Sequence, residues 1–255
     1  MSVRAVLFDL GNTLWHIPER PPVNDIRQET VKRIFGVLRD WNVEPVDELR
    51  FLGRDIRLAM GEADRTAYES DCVSPHFPTV VQEVLSAKGL ETSLEQSEQL
   101  WDAWNLEGAF FGRRLFDDTM HTLRGLRDMG LRLGCVTNRP FAGPSFVAEV
   151  ADHGLADLFD VMSVSCDIGY MKPHPKIYQH ALEILDIAPE ETVMVGDSLR
   201  ADVEGAQALG MTAVWRKHHA LKENMDHVEP DFTINELGEL LTLPCFHKNG
   251  QAAAG

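Results

Sequence analysis

Long uncharged apolar runs are missing from this chain of 255 residues. No run approaches the roughly 18 residues that a membrane-spanning helix needs. The charged residues Arg4 and Asp9 also interrupt the amino-terminal segment in which the apolar core of a secretory signal would lie. The sequence therefore predicts a cytoplasmic protein that does not enter a membrane.

Basic residues are scarce: 24 Lys and Arg stand against 40 Asp and Glu, which gives a net charge of −16 at pH 7. Lys and Arg form no run along the chain. Such an excess of negative charge repels nucleic-acid backbones and anionic lipids. We therefore expect a small-molecule partner and no nucleic acid.

Cysteine is also infrequent, and its residues are too scattered for a C-x-x-C pair. This spacing does not indicate a zinc site or a redox couple. We expect four reduced thiols that act as small apolar residues. They are Cys72, Cys135, Cys166 and Cys245.

Short apolar runs that end in polar loops alternate with helical patterns in most of the chain. This alternation is typical of an α/β fold, and it predicts a Rossmann-like, doubly wound parallel sheet with helices on both faces. Ligands of such sheets bind outside the carboxyl ends of the strands. The predicted strands are 4–8, 131–136, 161–165, 192–195, 211–215 and 232–234.

The interval 15–113 has a different pattern, with apolar residues at helical spacing in four places and almost no strand-like alternation. It lies between the first strand and the rest of the α/β pattern, so we predict an inserted all-helical domain that could act as a lid. The predicted α/β core then comprises 1–14 and 114–247. Residues 248–255 are expected to be a disordered tail.

Four polar segments lie at the predicted strand ends or in the loops beside them. They are Asp9 to Thr13, Thr137-Asn138, Lys172-Pro173-His174-Pro175 and Gly196-Asp197 to Asp202. Each segment by itself is compatible with an ordinary turn or helix cap. Independent caps have no reason to collect at the carboxyl ends of successive strands, so the set predicts one polar crevice.

These segments, in this order, resemble the motifs of the haloacid dehalogenase-like (HAD) hydrolase superfamily, and the insertion resembles its α-helical cap. The resemblance extends from the first strand to about residue 241. It implies a phosphatase that hydrolyses a small phosphorylated metabolite with Mg²⁺ through an aspartyl-phosphate intermediate.

The chemistry of the residues agrees with that implication. The carboxylate of Asp9 can attack phosphorus. Because nucleophile and phosphoryl group are both anionic, the site must supply positive charge. We expect Asp9, Asp197 and the Gly11 carbonyl to hold Mg²⁺ and Lys172 to supply an ammonium. Asp202 is expected to be a second metal ligand or a partner that orients the metal site.

The second motif completes the predicted substrate site. The Thr137 hydroxyl and the Asn138 amide are expected to donate hydrogen bonds to the phosphoryl oxygens. Thr137 is therefore counted with Asp9 and Lys172 among the catalytic residues. Thr137, Asn138, Lys172 and Gly11 are expected to contact the substrate.

Gly11 departs from the phosphatase pattern, because phosphatases of the superfamily usually carry a second aspartate there as general acid and base. That function is worth about 10² to 10⁴ in rate. His16, just beyond the motif, is a candidate replacement. The missing aspartate leaves open a 2-haloacid dehalogenase, a phosphonate-cleaving enzyme that uses Lys32 or Lys88, and a weakly active protein that binds a phosphorylated ligand.

The sequence does not reveal the substrate, because specificity would depend on side chains of the helical insertion. Three residues there could contact a substrate: Trp101, Trp104 and Arg113. Aromatic residues at helical spacing belong more often to a core than to a binding pocket.

Overall fold

The computed structural model of the protein describes residues 2–44, 47–218, 220, 225 and 227–247. The predicted tail 248–255 lies outside the described residues. The chain divides into two compact units, one formed by Ile17–Arg113 and the other by the segments before and after it. We call the unit formed by the two flanking segments the first unit, and Ile17–Arg113 the second unit.

The first unit is built on a six-stranded sheet, and a separate antiparallel pair lies beside it. The sheet order is β5-β4-β1-β6-β7-β8, and every neighbouring pair is parallel. The predicted parallel sheet is therefore confirmed, and each predicted strand end lies within one residue of the observed end. The strands are β1 Ala5–Phe8, β2 Trp15–His16, β3 Arg114–Leu115, β4 Arg132–Thr137, β5 Val161–Val164, β6 Thr192–Gly196, β7 Thr212–Arg216 and β8 Phe232–Ile234.

The sheet is buried on both faces, which is why its strands have nearly continuous apolar sequences. Side chains alternate along a strand, so in β1 Ala5 and Leu7 pack with one apolar cluster and Val6 and Phe8 with the other. All four are inaccessible to solvent.

Helices cover both faces of this sheet and also make up the second unit. Gly130 and Gly154 have φ of +84° and +72° just beyond α5 and α6, as expected for glycines that end helices. The α-helices of the described residues are α1 Val23–Asp40, α2 Leu52–Glu69, α3 Phe77–Ser86, α4 Leu94–Trp104, α5 Thr119–Asp128, α6 Gly143–Asp152, α7 Ser165–Ile168, α8 Pro175–Leu185 and α9 Gly205–Gln207, with a π-helix at Leu199–Glu204.

Asp118 occupies the N-cap position of α5, but its side chain makes no capping hydrogen bond. Its Oδ2 instead accepts from the backbone N–H of Gly238 at 2.9 Å. The carboxylate therefore ties the start of α5 to a carboxyl-terminal segment that is remote in sequence.

In the second unit, α1 to α4 pack their apolar stripes against each other. A capping box begins α4: Ser93 Oγ accepts from the Gln96 N–H, and Gln96 Oε1 accepts from the Ser93 N–H. Trp101 is 5% exposed and stacks on Phe77 and Trp104. Trp101 is thus part of this unit's core.

The boundary of the insertion differs from the prediction by two residues. Trp15 and His16 pair as an antiparallel ribbon with Leu115 and Arg114, and this pairing keeps them in the first unit. The second unit therefore begins at Ile17. The ribbon brings the outgoing and returning chain side by side.

Among the described residues, no helix is long and apolar enough to cross a membrane. The four cysteines are free thiols, as expected, and Cys72 and Cys135 are buried.

Candidate active site

Three of the predicted site residues lie at the carboxyl edge of neighbouring strands. Asp9 follows β1, Thr137 ends β4, and Asp197 follows β6, while β1 lies between β4 and β6 in the sheet. All three side chains are buried. The parallel register therefore collects residues that are up to 188 positions apart in the sequence.

Lys172 lies between two carboxylates. Its Nζ is 2.7 Å from Oδ1 of Asp9 and 2.6 Å from Oδ1 of Asp202, and the side chain is only 2% exposed. Burial by itself would lower the pKa of Lys172, but the charges of Asp202 and Asp9 outweigh it and raise the pKa above its ordinary value. The lysine is therefore held as an ammonium.

Asp202 extends from the π-helix after Asp197, and the protein already uses both of its oxygens. Oδ1 accepts from Lys172, and Oδ2 accepts from the backbone N–H of Ser198 at 2.9 Å. A Cβ at position 196 would overlap this carboxylate, which explains the need for Gly196. These contacts differ from those expected of a direct metal ligand, and they show Asp202 holding Lys172, which the sequence did not predict.

Asp197 is the carboxylate of this group whose negative charge would be stabilised most by a bound cation. Burial, followed by the charges of Asp9 and Asp202, raises its pKa to about 7. Its Oδ2 receives the side-chain amide of Asn12 at 3.4 Å. Within the part of the chain that the structure describes, no Lys or Arg forms an ion pair with Asp197.

The described residues contain no group of three His, Cys, Asp or Glu side chains placed to hold an ion by themselves. Mg²⁺ does not require such a group, because it is usually bound by one or two carboxylates together with water and substrate oxygens. Asp9, Asp197 and the Gly11 carbonyl are hard oxygen donors of this kind. The excess of negative charge and the raised pKa of Asp197 therefore fit a magnesium site.

Asn138 contacts the backbone of Lys172 through its side-chain amide. Its Nδ2 donates to the backbone oxygen of Lys172 at 3.0 Å, and its Oδ1 accepts from the backbone N–H of Lys172 at 2.7 Å. The Asn138 amide thus bonds to both the backbone N–H and the backbone carbonyl of Lys172. These contacts fix the position of Lys172, and the expectation that Asn138 donates to a phosphoryl group stays a prediction.

Gly11 leaves room beside the Asp9 carboxylate. A Cβ at this position would lie 3.9 Å from Asp9 Oδ2, an ordinary van der Waals distance, and the backbone there does not have a positive φ. The ring of His16 stacks on Phe116 with 4.3 Å between centroids.

Sequence reasoning missed two residues at the end of β7. The indole N–H of Trp215 donates to the backbone oxygen of Asp197 at 2.9 Å. The Nη1 of Arg216 donates to the backbone oxygen of Thr13 at 2.5 Å. The sequence does contain a signal for Arg216, because it is a charged residue directly after the apolar strand that was predicted to end at Trp215.

Neither lysine considered for a phosphonate-cleaving reaction has a matching environment. Lys32 is an exposed residue that pairs with Glu29 at 3.2 Å, and Lys88 pairs with Asp55 at 2.6 Å. A lysine that forms a Schiff base is activated by an apolar pocket or a neighbouring cation, whereas each of these two lysines faces a carboxylate. This alternative is therefore not supported.

Comparisons with known proteins show what this chain is similar to. The family model described as haloacid dehalogenase-like hydrolase matches residues 3–210. A glyceraldehyde 3-phosphate phosphatase of Methanopyrus kandleri is 36% identical over 242 residues, which cover 94% of this chain and 96% of that protein. A HAD phosphatase structure from Thermococcus onnurineus is 28% identical with a TM-score of 0.57, covering 94% and 97% of the two chains. A 2-haloacid dehalogenase structure from Pseudomonas syringae pv. Tomato is 23% identical with a TM-score of 0.60, covering 93% and 96%, and this likeness shows the fold alone.

Proposed function

We propose that this chain, which belongs to the haloacid dehalogenase-like hydrolase family, is a Mg²⁺-dependent phosphatase that acts on a small phosphorylated metabolite. One observation carries the proposal: a buried ammonium lies between the carboxylates of Asp9 and Asp202, while Asp197 remains beside them for a divalent cation. This arrangement provides a carboxylate nucleophile and the positive charge that phosphoryl transfer requires.

In the proposed first step, a carboxylate oxygen of Asp9 forms a bond to phosphorus and the bond to the ester oxygen breaks. The departing oxygen takes its proton from solvent, because Gly11 has no acidic side chain. In the second step, water attacks the aspartyl phosphate and releases inorganic phosphate, which regenerates the Asp9 carboxylate.

The other residues have supporting roles in this mechanism. Lys172 reduces the repulsion between Asp9 and the phosphoryl group, and Asp202 holds the ammonium in place. Thr137 donates its hydroxyl to a phosphoryl oxygen, and Asn138 fixes the backbone of Lys172. Mg²⁺, when bound by Asp9, Asp197 and the Gly11 carbonyl, would neutralise the phosphoryl charge.

The names of the related proteins support a phosphatase. The Methanopyrus kandleri protein that aligns with nearly the whole chain is named for the hydrolysis of a small phosphorylated aldehyde. An identity of 36% does not establish that the two proteins share one substrate. We therefore propose only the class of small phosphorylated metabolites. We also propose that Ile17–Arg113 is the cap that selects among them.

A 2-haloacid dehalogenase is the second candidate, because the residue at position 11 is not an acid. That reaction needs no metal ion. It would leave unexplained a buried Asp197 whose pKa is raised to about 7, since such a carboxylate lowers stability unless a cation binds it. A weakly active protein that binds a phosphorylated ligand is the third candidate.

A single assay separates the three candidates. The protein is incubated with p-nitrophenyl phosphate, with a panel of phosphorylated metabolites and with 2-haloacids, each in Mg²⁺ and in EDTA. We expect release of phosphate in Mg²⁺ only. Halide release in EDTA would establish the dehalogenase, and saturable binding without turnover would establish the binding protein.

The nucleophile is tested with a matched pair of variants. Asp9→Asn keeps the shape of the side chain but removes the attacking charge, so turnover should fall by at least about 10³-fold. Asp157→Asn changes an exposed aspartate of the first unit and should keep full activity. Residual activity of Asp9→Asn within tenfold of the unmodified protein would contradict the assignment.

A further inference from the structure

The proposed reaction does not use Arg216, although this residue is buried next to the site. It ends β7, its exposed fraction is 0%, and it is the largest fully buried side chain among the described residues. Burial of a guanidinium costs free energy unless its charge and its N–H groups find partners. The position of its partners therefore indicates what the side chain does.

The directional contacts of Arg216 go to the loop that follows Asp9. Nη1 donates to the backbone oxygens of Thr13 at 2.5 Å and Asn12 at 3.3 Å. The guanidinium also lies 3.8 Å from the centre of the Phe116 ring. Within the described part of the chain, Nε and Nη2 make no hydrogen bond, and the carboxylate of Glu236 is 3.8 Å from Nη2.

The loop that receives these hydrogen bonds has an unusual backbone. Asn12 has a φ of +53°, in the left-handed region that residues with a side chain adopt at a cost. Its side-chain amide reaches Oδ2 of Asp197 at 3.4 Å. The conformation at Asn12 therefore affects both the loop after Asp9 and the environment of Asp197.

Trp215, the residue before Arg216, makes a similar hydrogen bond to the loop that carries Asp197. Trp215 precedes Arg216 in β7 and points to the opposite face of the sheet. Its indole N–H donates to the backbone oxygen of Asp197 at 2.9 Å. Two successive residues of one strand thus hold the backbones of the two loops that carry Asp9 and Asp197.

We propose that Arg216 is a positioning residue that sets the distance between the Asp9 loop and Asp197, and thereby the affinity for the divalent cation and the rate of turnover. This inference rests on the proposed function. The planar guanidinium donates two hydrogen bonds from Nη1 while it lies against the Phe116 ring, and a lysine ammonium cannot reproduce this combination. Small displacements of reacting groups can cost about 10²-fold in rate.

The first test compares Arg216→Met with Arg127→Met. Arg127 forms an ion pair with Asp160 at 2.6 Å, so its variant also removes an arginine with a defined partner in the first unit. For Arg216→Met we expect kcat on p-nitrophenyl phosphate to fall about 10²-fold and the Mg²⁺ concentration for half-maximal activity to rise. KM for the ester should change by less than about threefold, because the hydrogen bonds of Arg216 go to the backbone of Asn12 and Thr13.

The second test is chemical rescue. Arg216→Ala leaves a space that free guanidinium can enter, so guanidinium chloride at non-denaturing concentration should restore kcat by at least about tenfold. Urea at the same concentration should have no such effect, and Arg127→Ala should not respond. If the methionine variant does not fold, Arg216→Lys replaces it, with a smaller loss of kcat expected.

A folded Arg216→Met with kcat and Mg²⁺ dependence within about threefold of the unmodified protein would overturn the proposal. Hydrogen exchange keeps the test independent of the phosphatase assignment. The amides of Thr13, Leu14 and Trp15 bond to the Leu10 oxygen, and they should exchange about tenfold faster in Arg216→Met but not in Arg127→Met. If the unmodified protein hydrolyses no phosphate ester, the proposed function fails, and unchanged exchange at these amides would overturn the positioning role separately.

Discussion

The side-chain amide of Asn138 forms two hydrogen bonds with the backbone of Lys172, which is 34 residues away in the sequence. One bond uses the amide N–H and the other uses the amide oxygen. Asn138 follows the end of β4, and Lys172 contacts Asp9 through its Nζ. The pair therefore connects the second polar segment of the sequence to the proposed nucleophile through the lysine.

Asn138→Ala should lower both activity and stability. The loss of both hydrogen bonds allows Lys172 to move away from Asp9, so we expect kcat/KM to fall about 10- to 100-fold. Partly buried backbone groups of Lys172 lose their partners, which should lower the free energy of unfolding by about 1–3 kcal/mol. Steady-state kinetics and urea denaturation measure the two effects.

The control is Asn235→Ala, because Asn235 is exposed. It should change neither quantity. Wild-type kcat/KM in a destabilised Asn138→Ala would show that this pair stabilises the fold without positioning the lysine.

Asp197→Asn should stabilise the metal-free protein at pH 8. The folded-state pKa of Asp197 is raised to about 7, above about 3.9 in the unfolded chain. The folded state therefore binds this proton more tightly, and stability falls as the pH rises from about 4 to 7. The asparagine variant does not carry this destabilising charge, so at pH 8 it should be more stable by about 1–3 kcal/mol.

Urea denaturation in EDTA at pH 8 and at pH 5 measures this effect. The difference between the variant and the unmodified protein should largely disappear at pH 5, where Asp197 is already protonated. Asp157→Asn, at an exposed position, should show no pH-dependent difference. An Asp197→Asn protein that is less stable at pH 8 would contradict the proposed charge imbalance.

Gly11→Asp should change the dependence of rate on the leaving group. Without an acid at position 11, departure of the leaving oxygen is unaided, so log kcat/KM should fall steeply as the pKa of the leaving group rises. The backbone leaves room for a side chain beside Asp9 Oδ2. The new carboxyl group should raise activity on poor leaving groups more than on good ones.

The quantity to compare is the slope of log kcat/KM against leaving-group pKa for a series of aryl and alkyl phosphates. An overall loss of rate with an unchanged slope would indicate only repulsion by the new charge. A shallow slope in the unmodified protein would show that another residue already donates the proton. His16→Ala would then be the next variant.

Ligand should protect the connections between the two units from proteolysis if Ile17–Arg113 acts as a lid. Near these connections the exposed Glu19 provides a site for the protease Glu-C and the exposed Arg114 a site for trypsin, whereas trypsin does not cleave after Arg20 because Pro21 follows it. We expect orthovanadate with Mg²⁺ to slow cleavage near 15–22 and 108–116, and Asp9→Asn to show less protection. Cleavage that is insensitive to vanadate would argue for a fixed subdomain.

The sequence by itself determined where the strands lie and which polar residues follow them. A strand buried on both faces needs a continuous apolar run, and such a run must end where the chain meets water. This local rule placed Asp9, Thr137 and Asp197 at strand ends, and the helical spacing of 15–113 predicted the helices of the second unit.

Only the tertiary structure decided which of these residues contact each other. The sheet order places β1 between β4 and β6, and no local pattern encodes that order. The contacts of Asn138 with Lys172, of Lys172 with Asp202, and of Arg216 with Thr13 join segments from 30 to 203 residues apart. Periodicity indicates the burial of each residue within its own element. The partner of a buried polar group depends on how the elements pack, and this is why the contact of Arg216 with Thr13 could not be predicted.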